Sequence, residues 1–279
     1  MSFGSAVALA QKFASRTGPS AFPNLGISRS AFAFDLMNRL NSPSLLDQRV
    51  TSLCGPAVFL YNVLLKQPEM FARYVIDLYE KGQGTLGTLV VKPGGDCRNY
   101  RVVGTKIQPV DWVALASLRD SSNTVLDYDS PGVEAGGITL PSAVAAWFRA
   151  AGFTSVVNRT NLFFDSDLWT LLKADQARGA GAAVCLFIGA NLLTGSEDGR
   201  AIPDHWVGLT SGLRIDGTST AALMARGEKA VAADKKLRTT GISFDVFTWG
   251  DPGYPARRNR PKLDVETTVD YFYGYVSAK

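Results

Sequence analysis

The chain has 279 residues, of which 46% are hydrophobic and 19% are charged. These proportions are ordinary for a globular protein with a sizeable core. The net charge of +4 is small and scattered along the chain, so it gives no reason to expect a nucleic-acid partner. No stretch approaches the length of a membrane-spanning helix, so we expect no membrane partner either.

The N-terminal 30 residues are small, polar and interrupted by Gly and Pro, as at residues 17–20. This composition predicts a loosely ordered extension over residues 1–30, followed by one domain over residues 31–279. Residues 1–12 carry no basic group ahead of their short apolar run, so we expect no secretory signal peptide.

A lone thiol then precedes a Gly-Pro pair and a long apolar run. Cys54 is followed by Gly55 and Pro56, and the run continues to Leu65. Because proline is favoured in the first turn of a helix, the pattern predicts a helix that begins at or near Cys54. Its residues are apolar nearly all round, which indicates a helix inside the core. A thiol at a helix N-terminus has a lowered pKa, although a buried structural cysteine is an equal alternative for this stretch alone.

Helical patterns precede strand patterns along the rest of the chain. Helices are predicted over residues 69–79, 111–118, 140–150, 168–177 and 221–237, and strands over residues 182–188, 204–209, 241–253 and 267–276. This order predicts an α+β fold with a mostly antiparallel sheet, on which the Cys54 helix would pack.

The other thiols predict no shared chemistry. Cys185 lies in an apolar run typical of a core strand, and Cys97 lies in a Gly-Gly-Asp loop as a bystander. Three cysteines with these spacings suit neither a disulfide framework nor a zinc site. We therefore expect no metal ion and no other cofactor.

His205 is the single histidine of the chain, so any Cys/His chemistry must use it as the base. It lies near the start of a predicted strand. Asp251 ends the next strand at an Asp-Pro turn, where its carboxylate could accept from the imidazole and fix the tautomer. Gln48, six residues before Cys54, could offer a side-chain N–H to an oxyanion.

Gln48, Cys54 within Cys-Gly-Pro-Ala, His205 within Asp-His-Trp-Val, and Asp251 within Asp-Pro follow one another in that order. This pattern resembles the papain-like cysteine peptidases, and more closely the branch that includes the double-glycine-leader peptidases. The resemblance covers roughly residues 45–80 and 140–253, with residues 214–240 inserted between the His and Asp strands. It implies a papain-like fold, a Cys-His-Asp triad and a protein substrate.

The resemblance also implies a biological setting, namely a bacterial effector or toxin that is delivered into a target cell, for example by type VI secretion, and is otherwise cytoplasmic. The resemblance implies an immunity or inhibitor protein as a second partner. Two alternatives stay open: a deamidase, transglutaminase or peptidoglycan amidase on the same triad, and a non-catalytic binding module. The basic helix within residues 214–240 is predicted to contact a macromolecule or, equally, to be a solvated surface helix.

Overall fold

Helices dominate the first half of the chain and strands the second half, as a computed structural model shows for residues 2–122, 138–195 and 203–279. Two units result, Met1–Gly152 and Phe153–Lys279. The single domain that the sequence predicts over residues 31–279 stays a prediction. Within the described residues the fold class is α+β, as predicted, with N-terminal helices followed by a six-stranded antiparallel sheet.

The first unit consists of helices and one short hairpin. Its helices are α1 (Phe3–Ala14), α2 (Arg29–Asn41), α3 (Cys54–Lys66), α4 (Pro68–Lys81), α5 (Gly95–Asn99), α6 (Pro109–Asp111), α7 (Ser117–Ser122) and α8 (Pro141–Ala150). A short 3₁₀ turn, Pro43–Leu45, follows α2, and a π-helical turn, Trp112–Ala116, joins α6 to α7. The hairpin pairs β1 (Gly84–Leu86) with β2 (Leu89–Val91).

Residues 1–30 are not a loose extension throughout, because α1 packs into the first unit. Ala6, Ala10 and Phe13 recur at helical spacing and are fully buried. Ser2 caps the helix by accepting from the backbone N–H of Ser5 at 3.2 Å. The Phe13 ring meets Tyr79 of α4 edge-to-face at 5.1 Å. Gly18, Pro19, Pro23 and Gly26 lie beyond the helix, and Gly4 in its first turn does not prevent it from forming.

The second unit is built on the sheet. Its strands are β3 (Val157–Thr160), β4 (Ala183–Ile188), β5 (His205–Leu209), β6 (Arg214–Ile215), β7 (Ile242–Ser243), β8 (Asp245–Thr248), β9 (Asp251–Pro255) and β10 (Phe272–Ala278). Its helices are α9 (Leu168–Gly179), α10 (Asn191–Thr194), α11 (Thr220–Arg226), α12 (Glu228–Ala233), α13 (Lys235–Arg238) and α14 (Val265–Asp270). The six-stranded sheet has the order β3-β10-β4-β5-β8-β9, and β6 pairs with β7 separately.

Three predicted elements of this unit differ from the structure. The strand predicted over residues 241–253 is divided into β7, β8 and β9, and Asp251 begins β9 rather than ending a strand. The strand predicted over residues 267–276 is divided into α14 and β10, because Asp264 caps a helix by accepting from the Thr267 N–H at 2.9 Å. The helix predicted over residues 221–237 is divided into α11, α12 and α13. Gly227, with φ of 81°, ends the first of these, and Asp234 separates the other two.

His205 begins β5, and α9 packs on the same face of the sheet at the later residues of this strand. By strand alternation His205, Val207 and Leu209 lie on one face. Val207 and Leu209 share a buried cluster with Leu171 and Leu172 of α9. His205 therefore lies at the end of a packed face. Among the helices described, none is long and apolar enough to cross a membrane.

Candidate functional site

Cys54 is the first residue of α3, and this helix is buried almost throughout. Each of the eleven residues from Cys54 to Leu64 is buried, and 4% of Cys54 is exposed. The Leu53 carbonyl accepts from the Ala57 N–H at 2.9 Å, which begins the helical ladder. The prediction of a core helix that begins at Cys54 is confirmed. The thiol therefore lies where the backbone N–H groups and the helix dipole favour an anion.

Close packing explains why glycine follows the thiol. A methyl group on Gly55 would overlap the hydroxyl and Cβ of Thr139. Thr139 is fully buried, and its hydroxyl accepts from the Arg119 guanidinium at 3.3 Å. Because Thr139 has no free space to move into, only glycine lets the first turn of α3 approach this segment.

A tight loop holds Gln48 ahead of the helix. The Gln48 carbonyl accepts from the Thr51 N–H at 3.2 Å and from the Thr51 hydroxyl at 2.6 Å. Arg49 adopts a positive φ of 55°, and its N–H donates to the Asp47 carboxylate at 2.7 Å. The Gln48 side chain is 5% exposed, and its buried Oε1 has no hydrogen-bond partner among the described residues. A buried amide left unpaired costs about 1–3 kcal/mol, so this group is available to a ligand.

A buried ion pair anchors the start of this loop. The Arg39 guanidinium donates to both oxygens of the Asp111 carboxylate, at 2.7 and 2.8 Å. The same carboxylate accepts from the Asp47 N–H at 3.4 Å. Asp111 is fully buried and 5% of Arg39 is exposed, so the pair is shielded from solvent. Asp111 thereby ties α2 and α6 to the loop that carries Gln48.

His205 opens β5 and is held by two side chains. Its Nε2 lies 2.9 Å from the Thr248 hydroxyl, and its ring stacks on Trp249 at 5.0 Å with an interplanar angle of 20°. Burial lowers the pKa of His205 to about 4, so the imidazole is neutral near pH 7. No described residue makes a hydrogen bond to Nδ1. When Nε2 donates its hydrogen to Thr248, Nδ1 presents a lone pair that can accept a proton.

Asp251 does not meet the imidazole in this structure. Its carboxylate accepts from the Gly253 N–H at 2.9 Å and pairs with Arg258 at 3.5 Å, and no hydrogen bond joins it to His205. Thr248 lies directly opposite Asp251 across the β8–β9 ladder and takes the ring contact instead. The sequence alone predicts no role for Thr248. The one feature that could have indicated such a role is its position at the end of a strand, β8.

A chain of side chains nevertheless links Asp251 to the imidazole. Arg258, which pairs with Asp251, lies over the Tyr254 ring at 4.8 Å. Tyr254 meets Trp249 edge-to-face at 5.4 Å, and Trp249 stacks on His205. Trp249 has a positive φ of 47°, a strained backbone for a bulky residue. Packing therefore holds the indole against the imidazole despite that strain.

The predicted site residues fall into two groups. Gln48 and Cys54 belong to the unit Met1–Gly152, and His205 and Asp251 belong to the unit Phe153–Lys279. Each group is described within its own unit. That Cys54 and His205 act together, and that the Cys54 helix packs on the sheet, stay predictions.

The remaining thiols lie in the interior. Cys185 is fully buried on β4, and burial raises the pKa of its thiol. Cys97 is also fully buried and lies on the short helix α5 rather than in a loop. Within residues 2–122, 138–195 and 203–279, no three His, Cys, Asp or Glu side chains are grouped so that they could hold a metal ion.

Comparison of the chain with protein-family models, with curated proteins and with solved structures gave no match. The chemistry of the two residue groups is therefore the basis for the functional conclusion.

Proposed function

We propose that the protein is a cysteine peptidase with a papain-like fold, in which Cys54 and His205 act together on a peptide bond. The observation that carries the proposal is the state of His205. The chain's single imidazole is buried and neutral, is held through Nε2, and has an Nδ1 without a hydrogen bond to any described residue. This is the state in which a general base can accept a proton.

The chemistry follows from the atoms available. The Cys54 sulfur attacks the carbonyl carbon, and the thiol proton passes to Nδ1 of His205. The imidazolium then protonates the leaving amine as the C–N bond breaks. Water, deprotonated by the neutral imidazole, then attacks the thioester carbon; the C–S bond breaks, the acid is released, and the imidazolium returns its proton to the Cys54 sulfur. The position of Cys54 at the N-terminus of α3 supports thiolate formation.

Gln48 supports the proposal as an oxyanion donor. Its side chain is buried, and among the described residues its Oε1 has no partner and no hydrogen bond fixes the rotation about its last bond. Rotation by half a turn exchanges Oε1 and Nε2, so the N–H can turn towards an oxyanion without losing a bond. With the Cys54 N–H it would complete the pair of donors. Removal of one such donor typically costs about 10²–10³ in kcat.

Two residues compete for the role of positioning His205. Thr248 makes the ring contact, whereas Asp251 is linked to the ring through Arg258, Tyr254 and Trp249. In the proposed mechanism Thr248 fixes the tautomer, and Asp251 supports the indole that covers the ring. A triad in which Asp251 accepts directly from the imidazole would first require the Thr248 bond to break.

The setting proposed for this activity is that of a bacterial effector or toxin that acts on a protein of a target cell, with an immunity protein as its inhibitor. It rests on the sequence resemblance rather than on the geometry. The same Cys and His groups would also serve deamidation, transamidation or peptidoglycan amide cleavage. Exposure of a target-cell lysate to the active protein separates these outcomes, since a peptidase creates new N-termini and a deamidase converts Gln to Glu.

The experiment that tests the activity compares the wild type with Cys54→Ala and, as the matched control, Cys97→Ala. The proposal predicts new N-termini that depend on Cys54 and are retained in the control. Substrate processing by Cys54→Ala at the wild-type rate would exclude the mechanism.

A further inference from the structure

A cavity of about 400 Å³ lies in the second unit, and none of its lining residues takes part in the proposed chemistry. It is bounded by the start of α9, by α12 and α13, and by α14. Apolar side chains line part of it, namely Leu168, Val231, Leu237, Val265 and Val269. A volume of this size is within the usual range of ligand pockets and can admit a long side chain.

Five carboxylates and one guanidinium also line this cavity, so its charge is unbalanced. Asp234 pairs with Arg226 at 2.7 Å, and Glu266 pairs with Arg238 at 3.4 Å. Asp167 caps α9 by accepting from a backbone N–H at 2.7 Å. The other two carboxylates, Asp165 and Asp270, have no ion pair or hydrogen bond with the residues that the structure describes.

These two carboxylates without an ion pair lie close enough to influence each other. Burial raises the pKa of Asp270; the charges of Asp165, Glu266 and Asp264 raise it further, whereas the charge of Arg238 lowers it. A cation between Asp165 and Asp270 would relieve this repulsion. The cavity therefore offers an apolar wall to an aliphatic stem and carboxylates to a cationic head, which suits arginine or lysine.

An exposed aromatic pair adjoins the cavity along the chain. Phe163 and Phe164 are 77% and 67% exposed, and Phe164 directly precedes Asp165. The Asn161 side chain accepts from the N–H groups of both phenylalanines, at 2.9 and 3.3 Å. The N–H groups of Asn161 and Ser166 donate to carbonyls at the start of β10. The loop is thus held at both ends while it presents two large apolar rings to solvent, as recognition surfaces do.

We propose that this surface, formed by the cavity together with Phe163 and Phe164, docks a basic amphipathic segment of a partner protein. An arginine or lysine of that segment enters the cavity, and its apolar residues cover the two phenylalanines. The partner segment should be basic, because the cavity is lined mainly by carboxylates. Phe163 and Phe164 extend the surface beyond the area that a small cation would cover. The site does not depend on the activity of Cys54.

This assignment gives a different role to the residues inserted between the His and Asp strands. The sequence predicted a basic helix that either contacts a macromolecule or is a solvated surface helix. Arg226 and Arg238 of this segment are held in ion pairs, and α12 and α13 contribute walls to an acidic cavity. The segment therefore helps to recognise a basic surface rather than an acidic one.

The test measures binding of a fluorescently labelled peptide of alternating arginine and leucine to the full chain. The double variant Asp165→Asn/Asp270→Asn removes two charges from the cavity, and Phe163→Ser/Phe164→Ser removes the rings. The matched control is Asp96→Asn/Asp216→Asn, which removes two exposed carboxylates elsewhere. Because all of these side chains are on the surface, each variant should fold, as thermal unfolding would show.

We expect the first two variants to bind at least about tenfold more weakly and the control to bind like the wild type. Binding of the wild type should weaken with added salt. Equal affinity of the wild type and both surface variants would overturn the proposal. So would equal binding of a glutamate-leucine peptide. The site would instead be one for a small cation under two conditions together: spermine binding is lost in Asp165→Asn/Asp270→Asn, and peptide binding is unchanged in Phe163→Ser/Phe164→Ser. That outcome would also overturn the proposal.

Discussion

The buried state of His205 has a consequence for stability that can be measured in the Cys54→Ala background, where no thiolate charge acts on the imidazole. Burial lowers the pKa of His205 from 6.5 to about 4. In the unfolded chain this histidine binds a proton below about pH 6.5, whereas the folded protein resists protonation until about pH 4. Stability is therefore unaffected by His205 above pH 6.5 and falls as the pH decreases towards 4.

The size of the effect follows from the change in pKa, which corresponds to about 3 kcal/mol of unfolding free energy. Urea unfolding of Cys54→Ala and of Cys54→Ala/His205→Gln at pH 7 and pH 4 isolates the contribution of His205 to the unfolding free energy. The carboxylates titrate in both proteins, so their effect cancels in the difference. We expect the stability difference between the two proteins to shrink, or to reverse, by about 3 kcal/mol on acidification.

A second readout is available because the chain has one histidine. The Cε1–H signal of this imidazole in proton NMR should titrate with a midpoint near 4. Parallel pH profiles of the two proteins, together with a midpoint near 6.5, would show that the ring is solvated and would refute the buried contact with Thr248 and Trp249.

Three further substitutions test other parts of the structure. Thr248→Val should lower kcat about ten- to a hundredfold and alter the pH–rate profile, because Nε2 of His205 loses its hydrogen bond with the Thr248 hydroxyl. Thr248→Ser should restore both, and a larger loss in Asp251→Asn would return the positioning role to the carboxylate. Gly55→Ala should cost about 1–3 kcal/mol, because the added methyl overlaps Thr139, and an unchanged Tm would contradict the packing described. Asp111→Asn should destabilise the first unit by about 3–5 kcal/mol, because it leaves the arginine of α2 buried without its charge partner; stability within 1 kcal/mol of wild type in urea unfolding would count against that anchor.

The sequence predicted the elements that depend on local chemistry. The Gly-Pro pair and apolar run placed the start of α3 at Cys54, and the apolar run around Cys185 is a buried strand. His205 begins a strand, as expected. In each case short-range periodicity and capping decide the structure, so the pattern is visible without knowledge of the fold.

The contacts around the imidazole were harder to predict, because they depend on strand register. His205 and Thr248 are 43 residues apart, and they meet because β5 pairs with β8. A register change of one residue would place Thr248 on the other face of the sheet. The Asp-Pro turn drew attention to Asp251, whose carboxylate instead pairs with an arginine seven residues later.

The segment over residues 214–240 illustrates a different limit of sequence patterns. Its Lys and Arg residues suggested a basic surface helix, either solvated or in contact with a macromolecule, yet Leu223, Val231 and Leu237 are buried in the same cluster as α9. Three short helices each contribute one leucine or valine, which is too sparse a pattern to show an apolar face. Replacement of the whole segment by a short turn would therefore remove part of the core as well as the surface.

The central claim is that Cys54 is a nucleophile activated by His205, and the rate of alkylation by iodoacetamide as a function of pH tests it most directly. We predict that Cys54 reacts faster than the fully buried Cys97 and Cys185 at mildly acidic pH, as mapped by mass spectrometry, and that His205→Ala slows this reaction while the fold persists. Equal reactivity of Cys54 in the wild type and in His205→Ala across the pH range would contradict the claim.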